Sequence, residues 1–214
     1  MLCPPVGNLD VVLIWINGAF GVGKTQTAHE LYRRLPAAHV ADPELLGFAI
    51  HKMLPPSARA DFQDRPQWRS AVFETLVQVC HETVHPVIVP MTLVNPEYFD
   101  EIVGRLRGEG LDVRHYALTA SVQVIHRRLR SRLASVFGRI VGADETWAMQ
   151  HAQRCSAALQ DERFETRIAT DDLSVDEVVE RIAETVGLHL VRPRLGTPRY
   201  QLRRAAVAVP HIRL

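Results

Sequence analysis

The chain has 214 residues, 47% of them apolar and 23% charged, with a formal net charge of +1. That length suffices for one domain with a substantial core, and the near-zero charge excludes a general basic field for nucleic acid. Cys3, Cys80 and Cys155 form no metal pattern, the start lacks the features of a secretion signal, and no apolar run reaches the roughly 20 residues of a membrane span, so a reduced, cytoplasmic setting is expected.

The first apolar run, Val11–Ile16, predicts a buried strand. It stops at Asn17 and enters Gly18-Ala19-Phe20-Gly21-Val22-Gly23-Lys24-Thr25, which is G-x-x-x-x-G-K-[ST], the P-loop pattern, with a strand before and a helix after. Glycines at these positions let successive N–H groups turn inward around a phosphate. A helix over Lys24–Leu35 adds its positive N-terminal end, so Gly18 through Gln26 are candidate ATP-binding residues. Lys24 supplies a point charge for the β- and γ-phosphates, and the Thr25 hydroxyl is the candidate Mg²⁺ ligand. Lys24 and Lys52 are the only lysines, against 23 arginines.

A short strand over His39–Ala41 follows, ending at Asp42-Pro43-Glu44, and a helix over Leu45–Met53 is broken by Pro55-Pro56. Helical spacing of Val72, Leu76 and Val79 marks a helix over Trp68–His85. A strand at Val87–Val89 closes at Pro90-Met91-Thr92, and a helix over Pro96–Glu109 stops at Gly110. Next come a strand at Val113–Leu118, an arginine-rich helix at Ser121–Leu133, a loop with Gly138 and Gly142, and a helix at Asp144–Leu159. Arg167–Thr170 is the last strand, and Ser174 with Glu177 forms a capping box for the final helix. This alternation predicts a five-stranded parallel sheet with helices on both faces, the three-layer α/β fold of P-loop NTPases, over residues 1–191. Residues 192–214 carry six arginines and no acid. They read either as a basic extension for an anionic membrane surface or as a solvated or packed tail.

Asp42 falls at the sheet edge where ligands gather. Its carboxylate suits activation of an acceptor hydroxyl, with Glu44 as understudy. The plainer reading is a helix cap, since Asp-Pro is a good cap and first-turn pair. Many P-loop enzymes carry an acid for Mg²⁺ at the third strand, and this chain has Pro90, Met91 and Thr92 there. Thr92 is a candidate substrate contact or simple packing. Residues 55–80 offer Phe62, Trp68 and Phe73 for stacking and Arg69 for an anionic group, although aromatics are more often plain core. Arg128 and Arg132 share a helical face, as do Arg127 and Arg130, and Arg154 lies on the next helix.

The stretches Ile14-Trp15-Ile16-Asn17-Gly18-Ala19-Phe20-Gly21, Asp42-Pro43-Glu44-x-x-Gly47-Phe48, Asp61-Phe62-Gln63, Val89-Pro90-Met91-Thr92, Asn95-Pro96-Glu97-Tyr98-Phe99 and His211-Ile212-Arg213 resemble the tunicamycin-resistance (TmrB-type) ATP-binding proteins. The resemblance runs from about Leu13 to the C-terminus. It implies ATP binding, resistance to a nucleoside antibiotic such as tunicamycin, and peripheral membrane association through the tail, with the drug either phosphorylated or only bound and sequestered. More distantly the layout is similar to shikimate kinase and chloramphenicol phosphotransferase. That likeness implies a helical lid over about 121–154, with Arg128 and Arg132 on the transferring phosphate. It also implies a catalytic role for Asp42 with Lys24, and an acceptor side including Glu44, Phe48, Phe62, Trp68, Arg69 and Thr92.

Overall fold

Five strands, β1 (Val12–Gly18), β2 (His39–Val40), β3 (Val87–Pro90), β4 (Asp112–Thr119) and β5 (Arg167–Ala169), form one parallel sheet in the order β2-β3-β1-β4-β5. They are seen in a computed structural model that describes residues 11–133, 145–164 and 166–208. The predicted loop with Gly138 and Gly142 lies outside those residues, as do the first ten positions and 209–214.

The central strand explains why apolar runs rather than alternation marked the sheet. Leu13 and Trp15 of β1 enter one core with Val87 and Val89 of β3, while Ile14 and Ile16 enter the other with Ile88. A parallel strand buried on both faces reads as continuously apolar. The first core is closed by α3 (Pro66–Glu82), through Trp68, Val72 and Leu76, and by Ile102 and Leu106. The second is closed by α1 (Lys24–Arg34), through Ala28 and Leu31, and by α8 (Val175–Val186), through Val179 and Ile182.

β1 runs two residues beyond the predicted end, because Asn17 and Gly18 still pair with Ala117 and Leu118 of β4. On the other side the pairing with β3 ends at Ile16 and Pro90, where proline's missing N–H does least harm. The helix predicted over Pro96–Glu109 is three pieces: α4 (Pro96–Phe99), a π-helical stretch Asp100–Gly104, and α5 (Arg105–Gly108). The wide middle turn carries two consecutive buried side chains, Ile102 and Val103.

The remaining helices are α2 (Pro43–Met53), α6 (Val122–Leu133), α7 (Glu145–Ala158) and α9 (Thr197–Ala208). The chain beyond α8 folds back along α1. The Val191 N–H donates to the Arg34 carbonyl at 2.9 Å, Arg33 donates to the Pro193 carbonyl at 2.7 Å, and Arg34 donates to the Arg192 carbonyl at 3.1 Å. Arg34 also pairs with Asp176 and Glu180, Arg194 pairs with Glu180, and Arg203 donates to the His29 carbonyl at 3.2 Å.

Candidate nucleotide-binding site

The P-loop leaves β1 through Gly18 at φ +150° and enters α1 through Gly23 at φ +115°. A Cβ on Gly18 would lie 2.7 Å from Val22 Cγ1 and 2.8 Å from the Leu118 carbonyl oxygen, so both space and angle demand glycine. At Gly23 the space is open and the angle alone requires it. Gly23 caps α1 without a side chain, and the first turn of α1 holds no acid. The positive helix end therefore keeps its attraction for an anion. Lys24 is 8% exposed; its Nζ donates to the Ala19 carbonyl at 3.2 Å and stands 5.5 Å from the Phe20 ring centre. Thr25 is half-buried, and its hydroxyl has no hydrogen-bond partner among the described residues.

Buried side chains at the end of β1 and just beyond β3 hold the start of the loop, with one from the middle of β4 behind them. Asn17 is fully buried: its Oδ1 accepts from Gly18 N at 2.8 Å and Leu93 N at 3.0 Å, and its Nδ2 donates to the Leu93 carbonyl at 2.7 Å. Its Nδ2 also stands 3.2 Å from His115 Nε2 on β4. The Thr92 hydroxyl is buried and donates to the Gly18 carbonyl at 2.9 Å. The Thr92 carbonyl in turn accepts from Gln63 Nε2 at 3.1 Å. In the sequence Asn17 reads only as the stop of a strand, and His115 falls in no motif. An amide closing an all-apolar buried run was the available signal for Asn17, but its partner is 98 residues away.

Among the residues expected to form an acceptor side, Asp42 caps α2, accepting from Glu44 N at 2.9 Å. Glu44 and Phe48 are half-buried on that helix. Phe62 packs across Gly47, where a Cβ would come within 2.6 Å of the ring. It also meets Phe48, His51 and Trp68 at 6.4, 5.4 and 5.1 Å between ring centres. Trp68 is wholly buried, its Nε1 donating to the Pro43 carbonyl at 3.2 Å. Arg69 is 7% exposed, held by Glu101 at 2.6 Å and by the Gln63 carbonyl at 2.5 Å, with its guanidinium 4.0 Å from the Tyr98 ring centre. The structure thus joins Phe62, Trp68 and Arg69 in one packed wall, tied to the loop through Gln63 and Thr92.

Above the loop, Ile125 and Leu129 of α6 pack on Ala19 together with Ala152 and Cys155 of α7. Arg128 of α6 donates to the Val22 carbonyl at 3.0 Å, to Thr170 Oγ1 at 3.0 Å and to the Thr170 carbonyl at 2.5 Å. Ser121 N donates to Asp171 at 2.8 Å, and the Ser121 bonds hold that carboxyl below its ordinary pKa. Arg127 and Arg154 are exposed. The side chains of Arg130 and Arg132 lie outside the described residues, as does the middle of the predicted lid. Burial raises the Cys80 thiol to about 11 and also raises Cys155, which leaves both unreactive.

The AAA domain family matches residues 13–154. The tunicamycin resistance protein of Deinococcus radiodurans is 34% identical, with a TM-score of 0.70 over 86% of this chain and 99% of that one. This chain belongs to the tunicamycin-resistance family of P-loop, AAA-domain proteins. No curated protein matches the sequence. A gluconokinase of Sinorhizobium meliloti 1021 shares the fold at 19% identity and TM-score 0.55, over 84% of this chain and 97% of that one. The APS kinase of Mycobacterium tuberculosis, in complex with AMPPNP and APS, does so at 19% and 0.59, over 86% and 99%. The family's kinase-like fold implies nucleotide binding. For Mg²⁺, this member offers the Thr25 hydroxyl and no carboxylate at the end of β3, and no cluster of three metal-ligating side chains occurs among the described residues. Those residues fit an ion that keeps several waters and binds mainly through phosphates.

Proposed function

We propose that this protein confers resistance to a nucleoside antibiotic such as tunicamycin by transferring a phosphoryl group from ATP to a drug hydroxyl. The observation that supports it is a complete P-loop in a chain 34% identical to a tunicamycin resistance protein. In this reading the loop amides, Lys24 and Gln26 hold the phosphates. Thr25 would hold the Mg²⁺, which supplies charge neutralisation. Asp42 orients the acceptor hydroxyl and takes its proton; the acceptor oxygen bonds to the γ-phosphorus, the bond to the β–γ bridging oxygen breaks, and ADP leaves with that electron pair. Arg128 and Arg132 offset the developing charge. Glu44 and Phe48 contact the drug, against a wall shaped by Phe62, Trp68, Arg69 and Thr92. The protein works in the cytoplasm, and residues 192–214 touch an anionic membrane surface.

A second reading, ATP-dependent sequestration without chemistry, is favoured by two observations. β3 ends without an acid, and Asp42 already serves as a helix cap. Mass spectrometry of tunicamycin and related nucleoside antibiotics incubated with protein and MgATP separates them. A gain of one phosphoryl group, lost in Lys24→Ala, is expected. Unmodified drug retained on the protein only with ATP supports sequestration instead.

A further inference from the structure

We propose that Asn17 and His115 are positioning residues for the P-loop: neutral His115 fixes the Asn17 amide, and Asn17 sets the first glycine of the loop. The inference rests on the nucleotide-binding reading of that loop.

The hydrogen bonds determine the amide's orientation. Two backbone N–H groups, of Gly18 and Leu93, point at one side-chain atom of Asn17, which must therefore be its oxygen. The nitrogen then faces the Leu93 carbonyl with one hydrogen and His115 Nε2 with the other. A ring nitrogen that receives that hydrogen carries none itself, so the proton of His115 sits on Nδ1. The surroundings enforce neutrality. The ring is buried against Phe99 and Phe164, at 4.9 and 5.7 Å between ring centres. It also borders a cavity of about 490 Å³ walled by Arg107 of α5, Asp112, Arg114 and Tyr116 of β4, and Arg163, with Thr166 and Thr185. Burial first, and Arg107 second, push its pKa down to about 3.

Both polar groups of Gly18 are consequently taken by buried side chains, its N–H by Asn17 and its carbonyl by Thr92. The loop therefore leaves β1 along one path before any phosphate arrives. A preformed cradle binds more tightly than one that must be ordered on binding.

The test uses the full chain with His115→Leu, His115→Gln and Asn17→Asp, read by thermal melting, calorimetry with MgATP and ¹⁵N NMR of the imidazole. In the wild type, Nε2 should resonate as a bare nitrogen. His115→Leu should melt cooperatively and bind MgATP about 3- to 10-fold more weakly, the scale of one lost hydrogen bond. His115→Gln, whose amide oxygen reaches towards the place of Nε2, should recover most of that loss. Asn17→Asp should drive a proton onto Nε2 and weaken binding by more than about tenfold. A folded His115→Leu within about twofold of wild type overturns the proposal. So does a protonated Nε2 in the wild type, a measurement that stands even if His115→Leu does not fold. Wild-type protein with a bare Nε2 that binds no MgATP overturns the nucleotide reading and the positioning role with it, an outcome distinct from wild type and variant binding equally well.

Discussion

Asp42 is the residue on which the two readings of the chemistry divide. Its carboxylate accepts the Glu44 N–H at 2.9 Å, a bond that asparagine can also accept. Asp42→Asn therefore keeps the cap and removes the basicity. We expect a folded, ATP-binding variant whose turnover falls by at least about 10²-fold, the lower range for a general base. If capping is the whole role, Asp42→Asn stays active and Asp42→Ala loses about 1 kcal/mol of stability. Turnover and melting temperature of both variants decide. His115 gives a residue-level pH dependence. Its folded pKa, about 3, lies below the ordinary 6.5, so the unfolded chain takes up the proton first. Its contribution to stability is complete above about pH 6.5 and is lost as pH falls from there towards 3. Urea unfolding across that range should show the loss, and His115→Gln should flatten part of it.

Among the elements, α2 and the turn at Phe62–Asp64 meet through the Phe62 ring, which packs on Phe48 and His51 and lies where a Gly47 side chain would go. Gly47→Ala puts a methyl within 2.7 Å of three atoms of a ring that also packs on the buried Trp68. Overpacking of this kind costs about 1–3 kcal/mol, and a lower melting temperature is the expected result. α6 is joined to the loop by Arg128, which spans Val22 and Thr170. Arg128→Ala should lower turnover about tenfold or more, equivalent to about 1.4 kcal/mol in the barrier. Turnover within about twofold would make Arg128 a strut rather than a participant. The elements were the most legible part of the sequence, because runs such as Val11–Ile16 and cap pairs such as Ser174 with Glu177 are local signals. What stayed hidden depends on distant partners. The spacing in Pro96–Glu109 does not announce a π turn, since that turn answers to the packing of Ile102 and Val103. Nor do Phe62, Trp68 and Arg69, legible as an aromatic and basic group, reveal that their neighbours occupy them.

Across the whole molecule, the basic stretch beyond residue 191 behaves as part of the framework over its described length. Carbonyls of Arg192 and Pro193 accept from Arg34 and Arg33, and Arg194 holds the Glu180 carboxyl down to about 2. Removing residues 192–214 takes one carbonyl acceptor from each of the buried Arg33 and Arg34 guanidiniums, which keep their Glu30, Asp176 and Glu180 partners, and each lost hydrogen bond costs about 0.5–1.5 kcal/mol. The truncated chain should melt at a lower temperature than the full chain. The same pair of proteins tests the membrane reading. Sedimentation of the full chain with anionic liposomes at low salt, lost on truncation, is expected. A full chain that stays in the supernatant leaves the segment a purely internal brace.

The scarcity of lysine has a practical consequence once burial is considered. Of the two ε-amines, Lys52 is exposed and Lys24 is tucked against Ala19 and Phe20. An acylating reagent would mark Lys52 rapidly and Lys24 slowly, so peptide mapping reads two well-separated rates from one digest. Occupancy of the P-loop can then be followed as protection at a single amine, with Lys52 as the internal standard and without a labelled nucleotide.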